Sequence, residues 1–257
     1  MRRIVASIAF ATATVLGAAA ASGEQAQEGN LRVSFDGRLA PRALPRDRPA
    51  PVTAYLDSSI RTVDGSNPPP LRRISIAVNR QGLVSFAGLP TCDPAELQLT
   101  TTEAALERCR PALVGRGRFA ANVIFPDAPF PAEGRALIFN GRSRGRPAAF
   151  LHIFSSNPVR VTFVLPFEIS RRSRGQFGTV FSASIPRIAA DTGYITDIDL
   201  TVGREYRYRG APRSFLSASC AAPPGFRIGF FTLARTTFSF ADGRTLTTEI
   251  ARDCRVR

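Results

Sequence analysis

The chain of 257 residues contains no lysine and no tryptophan, and only one histidine and one methionine. A single histidine excludes a histidine-rich metal centre and leaves little scope for imidazole-based catalysis. Without lysine, all 34 basic residues are arginine, set against 20 acids for a formal charge of +14. After residue 23 no apolar run is long enough to span a bilayer as a helix. No repeat of fixed period occurs, and 20 glycines and 20 prolines without a period exclude collagen. A hydrophobic content of 44% with 19 phenylalanines excludes a fully disordered chain.

What is present at the start is an address. Met1-Arg2-Arg3 is cationic, Ile4 to Ala21 carries no charge, and the run ends in Ala20-Ala21-Ser22-Gly23. That order predicts a secretory signal peptide over residues 1–23, cleaved after Ala21 or Gly23. An uncleaved anchor is the alternative, but an alanine-rich segment with a small-residue cleavage site favours removal. No cysteine follows the apolar run, which argues against lipid attachment, so the mature chain is expected without a transmembrane segment. Losing Arg2 and Arg3 leaves 32 arginines against 20 acids, a net +12. Such charge attracts anionic polymers, and an acidic cell-envelope polymer is the partner it suggests. Arginine standing wholesale for lysine is equally what coding bias in a GC-rich genome yields. No specific nucleic acid is expected as a partner.

Four cysteines, Cys92, Cys109, Cys220 and Cys254, are an even number in an exported chain and predict disulfides. Proximity in sequence favours Cys92–Cys109 and Cys220–Cys254. A zinc site is the alternative, but there is no C-x-x-C and one histidine cannot complete it. Neither a metal nor another cofactor is expected.

From Leu31 onward the dominant period is two. Leu31, Val33 and Phe35 alternate with Arg32, Ser34 and Asp36, and Ile74, Ile76 and Val78 repeat the pattern. Similar runs cover Phe119–Phe125, Ala136–Asn140, Ala148–Phe154, Val159–Leu165, Phe177–Ile185 and Tyr194–Val202. Arg213–Cys220, Arg227–Leu233, Thr236–Phe240 and Thr245–Ile250 follow. About a dozen short strands between Gly, Pro, Asn and Asp predict an all-β fold, an antiparallel sandwich or barrel-like sandwich. Ala241-Asp242-Gly243 marks the clearest hairpin. Asp93-Pro94-Ala95-Glu96 starts like a helix, with an acidic cap and proline in the first turn. One short helix, or two turns around a kink at Thr100–Thr102, is expected between Cys92 and Cys109. Residues 24–70, rich in proline and arginine, read as irregular, with Val52–Leu56 and Ile60–Val63 able to pair at a sheet edge. Residues 71–257 read as the β core, and no boundary divides the two.

Certain segments together carry a resemblance. Leu89-Pro90-Thr91-Cys92, Ala104 to Cys109 and Leu113-Val114-Gly115-Arg116-Gly117 form one part. Ser217-Ala218-Ser219-Cys220, Phe238-Ser239-Phe240-Ala241-Asp242-Gly243 and Cys254 form the other. The combination resembles a group of uncharacterised secreted β-rich proteins from actinobacteria, over roughly residues 70–257. The resemblance implies an exported β-rich domain with both local disulfides. It implies no catalytic residue.

Several motifs bear on chemistry. Gly141-Arg142-Ser143-Arg144-Gly145 fits G-x-S-x-G, but no helix pattern follows and no acid lies between Ser143 and His152, so a hairpin loop is expected. Gly115-Arg116-Gly117-Arg118-Phe119-Ala120 fits a dinucleotide fingerprint, but a strand follows where a helix is required. His152 shares a strand face with Phe150 and Phe154 and reads as a buried histidine. Asp191, Asp197 and Asp199 cluster, and the last two would share a strand face as paired carboxylates or calcium ligands. A polar outer face is the simpler explanation. Arg204 to Arg209 alternates arginine with Tyr206 and Tyr208, and Arg207 and Arg209 with Arg142, Arg144, Arg171, Arg172 and Arg174 supply a candidate surface for an anionic ligand. A solvated edge, with Tyr206 and Tyr208 facing the core and Arg207 and Arg209 in water, explains the same pattern and is the simpler reading. The expected function is a non-enzymatic, disulfide-stabilised binding or structural module, extracellular or associated with the envelope. Two alternatives stand beside it: a glycan hydrolase using paired carboxylates, and a binder of anionic polymers through an arginine-rich face.

Overall fold

The computed structural model describes residues 24–124, 128–157, 160–188 and 191–257. The predicted signal segment 1–23 lies outside the described residues, as do Phe125 and Val159, which the sequence pattern places in strands. The first seven strands are β1 (Gln25–Glu28), β2 (Leu31–Ala40), β3 (Ala43–Leu44), β4 (Ala50–Pro51), β5 (Thr53–Thr62), β6 (Leu71–Asn79) and β7 (Gly82–Val84). Two helices, α1 (Pro94–Leu97) and α2 (Thr102–Cys109), interrupt them. Next come β8 (Leu113–Ile124), β9 (Pro129–Ser143), β10 (Arg146–Ser155), β11 (Val161–Arg171), β12 (Phe177–Ser184) and β13 (Gly193–Val202). The chain ends with β14 (Glu205–Tyr208), β15 (Ala211–Ser214), β16 (Leu216–Ala218), β17 (Ile228–Phe240) and β18 (Thr245–Val256).

Thirteen of these strands form one sheet in the order β1-β2-β5-β13-β8-β9-β10-β11-β12-β6-β17-β18-β3, antiparallel at every step but the last. The sheet curls until β18 lies against β1 and β2. Side chains hold that seam: Arg252 pairs with Glu24 and Asp36, and Arg244 donates to the Glu28 carbonyl and Asn30. Inside it, Phe35 meets Phe238 edge to face, with ring centroids 6.5 Å apart. Of the two expected arrangements the chain takes the barrel-like one, a single sheet whose two sides face each other across a common core. Period two is what allows this, because alternate residues of every strand point inward. On β2, for example, Leu31, Val33 and Phe35 are buried while Arg32 and Asp36 are exposed.

The N-terminal segment departs from expectation. β5 is a ten-residue strand enclosed on both sides, by β2 and β13, rather than at an edge. Its prolines (41, 45, 49, 51 and 68–70) fall outside the run, so its ladder donors remain intact. The two runs expected at 227–233 and 236–240 are one strand, β17, with a bulge between Thr232 and Ala234 that shifts the period by one residue.

The helical insertion forms as two pieces. Asp93 caps α1 by accepting from the Ala95 amide, and Thr101 caps α2 by accepting from the Ala104 amide. Cys92–Cys109 closes the insertion with its Cα atoms 5.5 Å apart, and Cys220–Cys254 joins the loop after β16 to β18 at 5.7 Å. Leu97, Ala105 and Ala112 pack on the outer faces of β9 and β10, against Leu137, Phe139, Ala148 and Phe150. In the G-x-G pattern, Gly117 is on β8, where a Cβ would sit 1.8 Å from the Asp199 carbonyl oxygen. The glycine there lets two strands approach closely, with no helix to receive a phosphate.

Candidate functional site

Following the antiparallel pairings, β2, β6, β9, β11, β13 and β18 all finish at the same end of the sheet. At that end lies a small cap, the three-stranded sheet β4-β16-β7. Ser219 ties the cap together by donating its hydroxyl to Gln81, and the Cys220–Cys254 disulfide fastens it to the wall. Toward the opposite end, Phe35, Phe119, Phe163 and Phe238 fill the interior. Beneath the cap the inward residues are smaller, among them Ala54, Ala149 and Ala234, and a cavity of about 160 Å³ remains. Its wall is apolar apart from Ser217, with Leu56, Ile138, Leu151, Phe167, Phe181 and Phe215 prominent. The physical cause is circumference: roughly eight strands enclose only what side chains can fill, and a wider curl leaves room. Leu83, on cap strand β7, lines the cavity and is also 48% exposed, so the wall reaches solvent there.

The predicted basic residues lie around this end. Arg142 and Arg144 belong to the β9–β10 hairpin, where Arg144 and Gly145 both have positive φ, the geometry of a tight two-residue turn. Ser143 of the G-x-S-x-G pattern is the last residue of β9, and β10 follows instead of a helix. Arg171, Arg172 and Arg174 lie at the β11–β12 hairpin, and Arg207 and Arg209 at the β14–β15 hairpin that follows β13. On β14, Tyr206 donates its hydroxyl to the Ala87 carbonyl while Glu205 and Arg207 face solvent. The Tyr208 ring lies over Gly88, where a Cβ would come within 2.1 Å of it. Ion pairs are made by Arg61, Arg72, Arg135, Arg187, Arg235, Arg244 and Arg252. Among the described residues, none of the seven predicted arginines is within ion-pair distance of a carboxylate.

The carboxylates are arranged differently. Asp197 and Asp199 lie on the outer face of β13, where Asp199 is opposite Asp57 of β5 and Asp57 is opposite Asp36 of β2. Partial burial first, then Asp197, Asp199 and Asp36, raise the Asp57 carboxyl above its ordinary value. Arg61 holds Asp197 at 2.6 Å. Asp191 is engaged elsewhere, by Arg72 at 2.7 Å, whose hydrogen bond holds its carboxyl below the usual range. None of these acids lines the cavity. The one close grouping of metal-type ligand atoms among the described residues is Cys92, Glu96 and Cys109, and its two sulfurs are joined as a disulfide.

His152 is 0% exposed beneath the helical insertion, with Nε2 3.1 Å from the Thr100 hydroxyl and 3.3 Å from its carbonyl. The Thr100 hydroxyl donates to the Leu97 carbonyl, so Nε2 carries the proton and donates to Thr100. Burial lowers the imidazole pKa from its ordinary 6.5 and keeps the ring neutral.

The cavity was not legible in the sequence. The only available signal was the use of alanine at inward strand positions, which carries no information about what lies opposite. Compared with protein-family models, curated proteins and solved structures, the chain matches none.

Proposed function

We propose that this is an exported, non-enzymatic binding module that takes an apolar ligand, or the apolar part of one, into the cavity of its curled sheet. The observation that carries the reading is the cavity of about 160 Å³ with its apolar wall. An engineered apolar cavity of roughly 150 Å³ stays dry and binds benzene, so the space suits about six carbons. Ligand sites are commonly apolar concavities in the mouths of β-barrels. Export is supported by the signal-like residues 1–23 and by two disulfides, which persist in oxidising compartments. The disulfide-fastened cap supports a stable site in a protein working outside the cell.

Octanol tests this reading directly. Isothermal titration should give saturable binding to the native chain. Ala149 lines the cavity, so Ala149→Leu should weaken that binding at least tenfold while leaving stability unchanged or raised by about 1 kcal/mol, as cavity-filling changes do. Absence of octanol binding, or equal binding by the variant, would overturn the proposal.

A further inference from the structure

Resting on the cavity as the ligand site, we infer that the ligand is an anionic amphiphile: an apolar chain inside, with a carboxylate or phosphate held by arginines at the cap. The β11–β12 hairpin connects the two halves of this argument. Its strands contribute Phe167 and Phe181 to the cavity wall, Arg171 ends β11 opposite Thr179, and the turn that follows carries Arg172 and Arg174. Arg171 reaches back to the cap, donating from Nη2 to the Val84 carbonyl at 3.1 Å, and Val84 itself lines the cavity. Arg80, two residues before the cap strand β7, donates to the Gly175 carbonyl at 3.0 and 2.9 Å and so joins the hairpin to the cap. These guanidinium groups use carbonyl oxygens as partners, and among the described residues neither has a carboxylate within ion-pair distance. No acid among the described residues compensates their charge, and Arg171 bonds the carbonyl of Val84, the residue after the exposed wall residue Leu83.

Charge complementarity selects the head group. A neutral head would leave these cations to water, and a cationic one would be repelled. A carboxylate or phosphate would meet guanidinium forks suited to two parallel hydrogen bonds. The arginines that do have carboxylate partners belong to the walls, the seam and the far turns, where they close the structure. Among the described residues, arginines without a carboxylate partner also lie on the outer wall, Arg32 and Arg118 among them; what distinguishes Arg171 is that it bonds Val84, a residue that lines the cavity. An eight-carbon chain would place about six carbons in the cavity and two at the mouth.

The test compares three probes of equal tail: octyl phosphate, octanol and octylammonium, each titrated calorimetrically into the disulfide-intact mature chain at physiological ionic strength. Octyl phosphate should bind about tenfold more tightly than octanol, and octylammonium more weakly than either. Arg171→Gln with Arg172→Gln should remove the advantage of the phosphate while leaving octanol affinity unchanged. Arg32→Gln with Arg118→Gln, an equal loss of charge on the outer wall, should leave the advantage in place. Octanoate should behave as octyl phosphate does, which separates a general anionic head from a phosphate-specific one. If octanol binds and the three heads bind equally, or if both double variants reduce phosphate binding alike, the inference fails while the cavity reading stands. If no probe binds, both fail.

Discussion

At the scale of the residue, His152 shows how burial decides the role of a titratable group. It lies on the outer face of β10, under the insertion, with Nε2 donating to Thr100 and Nδ1 without a partner. Its pKa is lowered by burial, so below pH 6.5 the unfolded chain binds a proton that the folded chain does not. Folding stability should therefore be fully present above pH 6.5 and decline as pH falls from there toward the folded-state pKa. Denaturation midpoints of the native chain and of His152→Gln between pH 5 and pH 8 check this. The native chain should lose stability across that window, and the variant should lose less. Identical pH profiles would show that His152 titrates alike in both states. The sequence placed this histidine correctly beside Phe150 and Phe154 on one strand face, because period two is local. It gave no sign of Thr100 as the partner, which lies 52 positions away in sequence.

At the scale of the element, the β17–β18 hairpin carries an internal cost. Thr236 and Thr248 are directly opposite each other, both 0% exposed, and neither hydroxyl has a partner. A buried hydroxyl without a hydrogen bond costs about 1–3 kcal/mol, whereas valine offers nearly the same shape without it. Thr236→Val should raise stability by about 1 kcal/mol, read as a higher urea midpoint with an unchanged slope. A loss of stability would mean that the hydroxyl is satisfied in solution. The same hairpin marks a limit of sequence reading. Its turn at Asp242-Gly243 was legible because positive φ favours glycine, and Gly243 has φ +90°. The bulge at Thr232–Ala234 was not, since a shifted period looks like a break between two strands. The insertion was legible for the opposite reason. Asp93 and Pro94 are local start signals, and the Asp93 cap reaches an amide two residues away; Thr101, which the sequence showed only as part of a kink, caps the second helix three residues away.

At the scale of the whole molecule, the two disulfides close loops of different kind. Cys92–Cys109 spans 17 residues within one insertion, and Cys220–Cys254 spans 34 and ties the cap to the last long strand. Chain-entropy arguments assign them roughly 3 and 4 kcal/mol. Replacing Cys220 and Cys254 by alanine should therefore lower the denaturation midpoint more than replacing Cys92 and Cys109, and should also weaken octanol binding, since the cap forms part of the cavity wall. The first pair lies on the outer surface of the wall, so its loss should leave binding intact. The reverse order in both measurements would place the binding site under the insertion instead of under the cap.

By itself the sequence determined the strand alternation, the capped insertion between Cys92 and Cys109, the tight turns and the pairing of neighbouring cysteines. Each of these follows from chemistry within a few residues or from closeness along the chain. Only the tertiary structure decided that β5 lies inside the sheet, that three arginine-bearing hairpins share one end, and that a cavity lies beneath a cap. Those features depend on strand order and on how far the sheet curls, which are set by pairings between distant segments. Ala54, Ala149 and Ala234 are ordinary strand alanines in the sequence. The curl brings them around one space, and a sheet this wide encloses more volume than such small side chains occupy.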